Sequence, residues 1–339
     1  MNSEMIDLVV TSAPHVRKKI KTFHIMRDVV IAILPVTIGG IYFFGTGHTL
    51  GIIVVAIISS VLAEYLGNLI FRRKNTIWDL SSAVTGFLFA LVLPPSSPYW
   101  MVVVGAVSAI FLGKIIFGGI GSNPFNPALV GRAVLMVSWP TFMTTWVKPF
   151  YWKIGSKSIS AITSAADAIT SATPLSIIKL NGYPKLVSLF GSKVALYKAL
   201  FLGNVGGSIG ETSVFLILIG GVYLLIRKVI DWRIPVSYIS TVFVLSFIFG
   251  RDPVFSILAG GLFLGAFFMA TDYSSSPVTP IGKIIFGIFI GFLTVIIRQF
   301  GSYPEGVMFS ILLGNAFVSY FDKVKPHIYG VFVQKGGRV

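Results

Sequence analysis

The sequence predicts an all-α integral membrane protein with about ten transmembrane helices, and three observations carry that prediction. Apolar residues make up 55% of the 339 residues and charged residues only 12%, with a mean hydropathy of +0.86. Soluble domains carry roughly 25% charge, and a water-soluble fold of this size has too little interior to hide so much apolar surface. The apolar residues also fall into long runs of spanning length, not into the alternation of half-buried strands. Finally, the basic residues sit mainly at the ends of those runs. The net charge of +15 is therefore read as membrane orientation and not as nucleic-acid binding.

The runs lie near 28–45, 49–71, 79–93, 99–117, 124–140, 211–226, 234–250, 253–271, 283–299 and 305–321. Two of them, 79–93 and 124–140, are short for a full crossing. The first 27 residues lack a continuous apolar core, so no cleavable signal is expected.

Orientation follows from four basic clusters. Arg17, Lys18, Lys19, Lys21 and Arg27 precede the first run, and Arg72, Arg73 and Lys74 follow the second. Arg227, Lys228 and Arg233 follow the sixth run, and Lys323, Lys325, Lys335 and Arg338 lie in the tail. Threading ten helices puts all four clusters on one side, the cytoplasm. Both termini are then cytoplasmic. The polar stretch 141–205 falls outside despite seven lysines, because long loops obey the charge rule weakly. The organisation expected is a cytoplasmic arm (1–27), a first helical unit (28–140), the extracytoplasmic segment (141–205), a second helical unit (206–321) and a cytoplasmic tail (322–339).

The two helical units share landmarks. Pro94-Pro-Ser-Ser-Pro98 follows the third run and Tyr273-Ser-Ser-Ser-Pro277 the eighth. Asn123-Pro124 opens the fifth run and Tyr303-Pro304 the tenth. Pro98 and Pro277 are 179 residues apart, and Pro124 and Pro304 are 180 apart. Nearly the same offset for both pairs predicts two five-helix repeats, and an odd helix number makes them inverted.

Cysteine is absent, which excludes disulfides, iron–sulfur clusters and thiolate zinc sites. The four histidines, His15, His24, His48 and His327, are scattered and argue against a haem or a histidine-based metal centre. The chemistry lies elsewhere, in Asp167-Ala-Ile-Thr170-Ser171-Ala172-Thr173-Pro174 within the outer segment. Thr173 reads as a helix N-cap with Pro174 at the first helical position. A helix start offers free backbone N–H groups and a positive dipole end, which favour a phosphate. A phosphate esterified to the Thr173 hydroxyl would sit on those donors, with room left by the small Ser171 and Ala172. The same pattern also describes a plain capped surface helix.

This stretch resembles the flavinylation motif Asp-x-x-Ser/Thr-Gly-Ala-Thr of the NqrB/RnfD family. The match covers Asp167, Thr170, Ala172 and Thr173, with Ser171 where glycine is usual. Further segments are similar to the family in the same order: Thr85–Pro95, Phe117–Ala128, Gly207–Ser213, Met269–Asp272 and Tyr303–Gly306. The resemblance implies FMN attached through its phosphate to Thr173 by a flavin transferase, and it leaves open a second, noncovalent flavin. It implies a fold like that of urea transporters and membership of a multi-subunit complex in a bacterial or archaeal cytoplasmic membrane. The missing N-terminal extension favours the RnfD branch, whose members belong to the ferredoxin:NAD oxidoreductase (Rnf) complex. That complex couples electron transfer to sodium or proton export. The alternatives are the related membrane component of the sodium-translocating NADH:quinone reductase, or a channel or transporter without redox function.

Other residues carry two readings each. Asn123 and Asn126 either start a helix plainly or line an ion or cofactor path, and Glu305 is the matching path candidate in the second unit. Glu64 lies inside an apolar run and either snorkels or pairs. Asp79, Glu211 and Asp252 read first as helix-start charges. Arg132, inside the fifth run, needs a partner or water. Gly206–Gly210 lacks the lysine of a phosphate loop and reads as close helix packing.

Overall fold

The computed structural model describes residues 22–73, 76–154, 172–301 and 303–324, and regular structure among them is helical. Three helices are long and apolar enough to cross a membrane: α1 (Thr22–Phe44), α2 (Thr46–Ile70) and α13 (Pro280–Phe300). Shorter apolar helices pack among them: α3 (Ser81–Leu91), α4 (Tyr99–Ile110), α5 (Pro127–Ser138), α9 (Val214–Ile226), α10 (Arg233–Ile248) and α14 (Val307–Ala316). The stretch between α5 and α9 contributes α6 (Pro140–Thr144), α7 (Pro174–Phe190) and α8 (Lys193–Leu202); α7 is kinked at Gly182 (φ +80°), so Tyr183 lies in its second half.

Helix starts follow a local rule. Asn126, Thr173, Asp252 and Thr279 each cap a helix through a side-chain oxygen, and each is followed by proline at the first helical position. The capping oxygen takes an otherwise orphaned N–H, and the proline has none to lose.

The run 253–271 departs from expectation. It is not one helix but three pieces: α11 (Pro253–Leu258), a single turn α12 (Leu262–Leu264) and a π-helical turn Gly265–Met269. The break falls at Ala259-Gly260-Gly261, where Gly260 has φ of +71°. A Cβ there would lie 2.8 Å from Leu175 Cδ1 and 3.2 Å from Arg298 Nη2. The break is tolerated because Arg298 donates to the freed carbonyls of Ser256 (2.6 Å) and Ala259 (3.0 Å). Broken backbone at membrane depth persists only where protein satisfies it. A second π-turn, Phe111–Ile115, ends α4.

Packing relies on small residues. Gly287 and Gly291 of α13 lie against Ser237 and Thr241 of α10, and Gly40 of α1 lies against Ile209. Such contacts let backbones approach where no hydrophobic force drives helices together. Large apolar side chains such as Ile38, Leu69, Val137, Ile226 and Phe247 point outward, while Glu64, Lys114, Arg132 and Glu211 are buried. That distribution suits a bilayer as solvent: apolar surface outside, paired charge inside.

Candidate functional site

Thr173 stands at the start of α7, in extended backbone (φ −63°, ψ 154°). Its Oγ1 accepts the Ser176 N–H at 3.2 Å and shares a 2.8 Å hydrogen bond with the Ser176 hydroxyl. The residue is 4% exposed. It lines a narrow cavity with Glu211, Thr212, Gly207, Gly260 and Glu305. Ala172 beside it is exposed, whereas Asp167, Thr170 and Ser171 lie outside the described residues. The N–H groups of the first turn of α7 and the Ser176 hydroxyl are the donors that could hold a phosphate at Thr173 Oγ1, while the carboxylates of Glu211 and Glu305 line the same cavity. To receive one, that oxygen must exchange its cap hydrogen bond.

The helix carrying Thr173 is clamped to the membrane unit. Asp252 caps α11, accepting from Phe255 N at 3.0 Å, and also accepts the hydroxyls of Tyr183 (2.5 Å) and Tyr197. Partial burial pushes the Asp252 pKa up, but the two phenols and the backbone donors outweigh it and hold it below the ordinary carboxylate value. Desolvation and the same carboxylate push the Tyr183 phenol far up. The clamp therefore pairs an ionised acceptor with protonated donors at neutral pH. Beneath it, Leu175, Leu186, Leu196, Leu200, Phe255 and Ala259 form a separate small core.

Behind Thr173 lies a buried ion cluster. Arg132 of α5 donates to Glu211 Oε1 at 2.5 Å and to Glu305 Oε2 at 2.6 Å. Side-chain exposures are 6%, 6% and 14%. Ser208 donates to the other Glu211 oxygen at 2.8 Å. Glu211 is thus held in place by backbone as well as charge, since Ile209 N and Gly210 N donate to Leu93 O (3.0 Å) and Leu91 O (2.7 Å). The Gly-rich loop packs closely, as its composition suggests: a Cβ on Gly210 would lie 2.6 Å from Leu91 Cβ.

Asn126 and Glu305 mark opposite ends of one contact. Asn126 Oδ1 caps α5 through Ala128 N (3.0 Å) and Leu129 N (3.4 Å), and its amide donates to Met269 O at 3.1 Å. Asn126 N donates to the Asn315 side chain at the far end of α14, at 3.1 Å. Arg132, further along α5, meets Glu305 just before α14 begins. The two helices therefore run antiparallel. Asn123 is occupied locally, donating to Phe125 O at 3.0 Å and accepting from Gly121 N at 3.3 Å.

Glu64 proves to be paired and not snorkelling: Lys114, in the first π-turn, donates to both its oxygens at 2.8 Å and to Ser81 Oγ at 2.5 Å. Asp79 does sit at a helix start, accepting from Ser81 N at 3.0 Å. Sequence reasoning gave Glu211 only a helix-start role and left Arg132 without a partner. The two join each other across 79 residues of chain, and no local pattern encodes that.

The model of the NQR2, RnfD, RnfE family matches residues 9–330. The D subunit of the proton-translocating ferredoxin:NAD(+) oxidoreductase complex of Clostridium ljungdahlii is 47% identical over 93% of both chains. The D subunit of the Na(+)-translocating ferredoxin:NAD(+) oxidoreductase complex of Acetobacterium woodii is 41% identical over 96% of both. The D subunit of the ion-translocating oxidoreductase complex of a Haemophilus influenzae strain is 34% identical over 94% of this chain and 97% of its own. With matches of that extent, the chain belongs to the NQR2, RnfD, RnfE family.

Proposed function

We propose that this chain is the membrane subunit of an ion-translocating ferredoxin:NAD oxidoreductase complex and carries FMN on Thr173 by a phosphoester. The observation that carries the reading is the position of Thr173: an N-cap hydroxyl at the start of α7, opening onto a cavity rimmed by the buried ion cluster. The flavin would supply the electron-carrying chemistry, and the protein supplies position and electrostatics. Thr173 Oγ1 anchors the phosphate and the first turn of α7 donates to it. The Asp252–Tyr183–Tyr197 clamp fixes that helix. A flavin transferase installs the group, and the remaining subunits of the complex and the lipid bilayer are the partners. The relatives' printed names give two different ions, proton and sodium, so family membership fits either.

In the proposed topology both termini are cytoplasmic and α7 faces outward, within two inverted five-helix repeats. The antiparallel pairing of α5 with α14, the fifth and tenth runs, supports the repeat. Ser188 is exposed on α7, and the chain has no cysteine. Ser188→Cys should react with a membrane-impermeant maleimide added to intact cells. Labelling only after lysis would reverse the topology and move the flavin to the cytoplasmic face.

The ion path is proposed along the α5–α14 contact, past Asn123 and Asn126 to Glu305. Asn126→Leu and Glu305→Gln should each lower ion uptake per electron in inverted vesicles while ferredoxin-to-NAD flux persists. Uptake per electron equal to the parent in both variants would remove these residues from the path.

A further inference from the structure

The largest cavity among those described has a volume of about 630 Å³ and lies beside the Thr173 cavity, sharing Leu175 with it. Its walls come from α7, the start of α8, α10, the loop before α11, α11 and α13. Leu175, Ile178, Phe247, Pro253, Phe255 and Val295 form apolar faces. The charged groups are Lys193, Arg251, Arg298 and Asp252. The Asp252 carboxylate is already committed to Tyr183 and Tyr197, so the cavity is cationic on balance.

Two buried polar atoms there have no partner among the described residues: Arg298 Nε and Gln299 Oε1. Arg298 is 7% exposed. Its two other nitrogens serve Ser256 O and Ala259 O, which fixes the guanidinium and leaves Nε–H without a partner among the described residues. Arg251 has no side-chain partner among the described residues either, and it is half-buried. A buried donor or acceptor left unmade is destabilising, and neighbouring residues on one helix turn each leave one. A donor and an acceptor side by side, flanked by a second guanidinium and backed by aromatic and aliphatic walls, call for a specific occupant. It must be flat and largely apolar, with an edge that alternates acceptor and donor and tolerates or gains negative charge.

The pyrimidine edge of an isoalloxazine ring has that pattern, C2=O, N3–H, C4=O, and it gains negative charge on reduction. We propose that the ring of the flavin on Thr173 seats in this cavity, with Gln299 Oε1 accepting from N3–H and Arg298 and Arg251 donating to the carbonyl oxygens. This rests on the reading of Thr173 as the attachment residue. The volume falls in the roughly 300–1,000 Å³ range of small-ligand sites. Leu175 lines both cavities, and a Cβ on Gly260 would lie 3.2 Å from Arg298 Nη2. The arginines then favour the reduced ring, so they raise its potential.

The experiment uses the full chain, made with its flavin transferase and purified in mild detergent. Fluorescence of the denatured band first shows whether flavin is attached at Thr173. Acrylamide quenching of the native protein then reports ring accessibility, and a redox titration gives the potential. In the parent, the ring should be quenched several-fold less readily than free FMN. Gln299→Leu and Arg251→Gln should leave the covalent label intact and open the ring to quencher. Arg251→Gln should also shift the balance between oxidised and reduced flavin roughly tenfold toward oxidised, the scale of one charge-assisted hydrogen bond. A labelled parent whose ring is quenched like free FMN would overturn the seat while leaving the attachment standing. So would variants with unchanged quenching and potential. An unlabelled parent would instead overturn the attachment, and the seat with it.

Discussion

Thr173→Ala should remove covalent flavin from the chain entirely, while the protein still accumulates in the membrane. In the proposed attachment the loss is complete, because the phosphoester needs Thr173 Oγ1 and alanine has no oxygen. The fold survives because the substitution costs only a cap. Losing an N-cap side chain costs about 1 kcal/mol, and α7 keeps Pro174 at its first position, the Asp252 clamp and its own small core. The measurement is flavin fluorescence of the denatured band, normalised to protein. Thr173→Ser keeps the hydroxyl and the cap, so it should retain part of the label. The Ser176 hydroxyl is the nearest competitor, at 2.8 Å from Thr173 Oγ1. A fluorescent Thr173→Ala band would therefore identify the wrong acceptor and point next to Ser176.

Much of the architecture was legible because it is written locally. The positions of α1, α2 and α13 follow from apolar run length, and four helix starts follow from a capping residue before proline. The N-cap role of Thr173 was legible from the same signature. The break in 253–271 was missed because its cause is distant. Ala259-Gly260-Gly261 looks like ordinary small-residue packing in an apolar run. Only Arg298, roughly forty residues on, makes the open turn tenable by taking its carbonyls. Partners of buried charges are hidden for the same reason: Lys114 lies 50 residues from Glu64, and Glu305 lies 173 from Arg132. A sequence shows that an intramembrane arginine needs a counter-charge but not which carboxylate supplies it.

That counter-charge leads to the second large effect. Arg132→Leu should deplete folded protein severely, because it strands Glu211 and Glu305 together in the interior. Both carboxylates touch the same guanidinium, at 2.5 and 2.6 Å, and all three side chains are buried. Removing one member of a buried ion cluster costs about 3–5 kcal/mol, a large part of the roughly 5–15 kcal/mol that holds a typical domain together. Arg298 cannot substitute without abandoning the carbonyls of Ser256 and Ala259. The cost comes from uncompensated charge and not from lost packing, so neutralising the acids should recover it. Arg132→Met combined with Glu211→Gln and Glu305→Gln should accumulate and unfold near the parent's temperature, since neutral replacements of buried ion clusters are often neutral or stabilising. The measurement is monodisperse yield in detergent together with the thermal unfolding midpoint. Parent-like values for Arg132→Leu would mean that the ion cluster does not hold the fold together. A triple variant as unstable as Arg132→Leu would instead place the stabilisation in the shape of the arginine, where it joins α5 to the loops before α9 and α14.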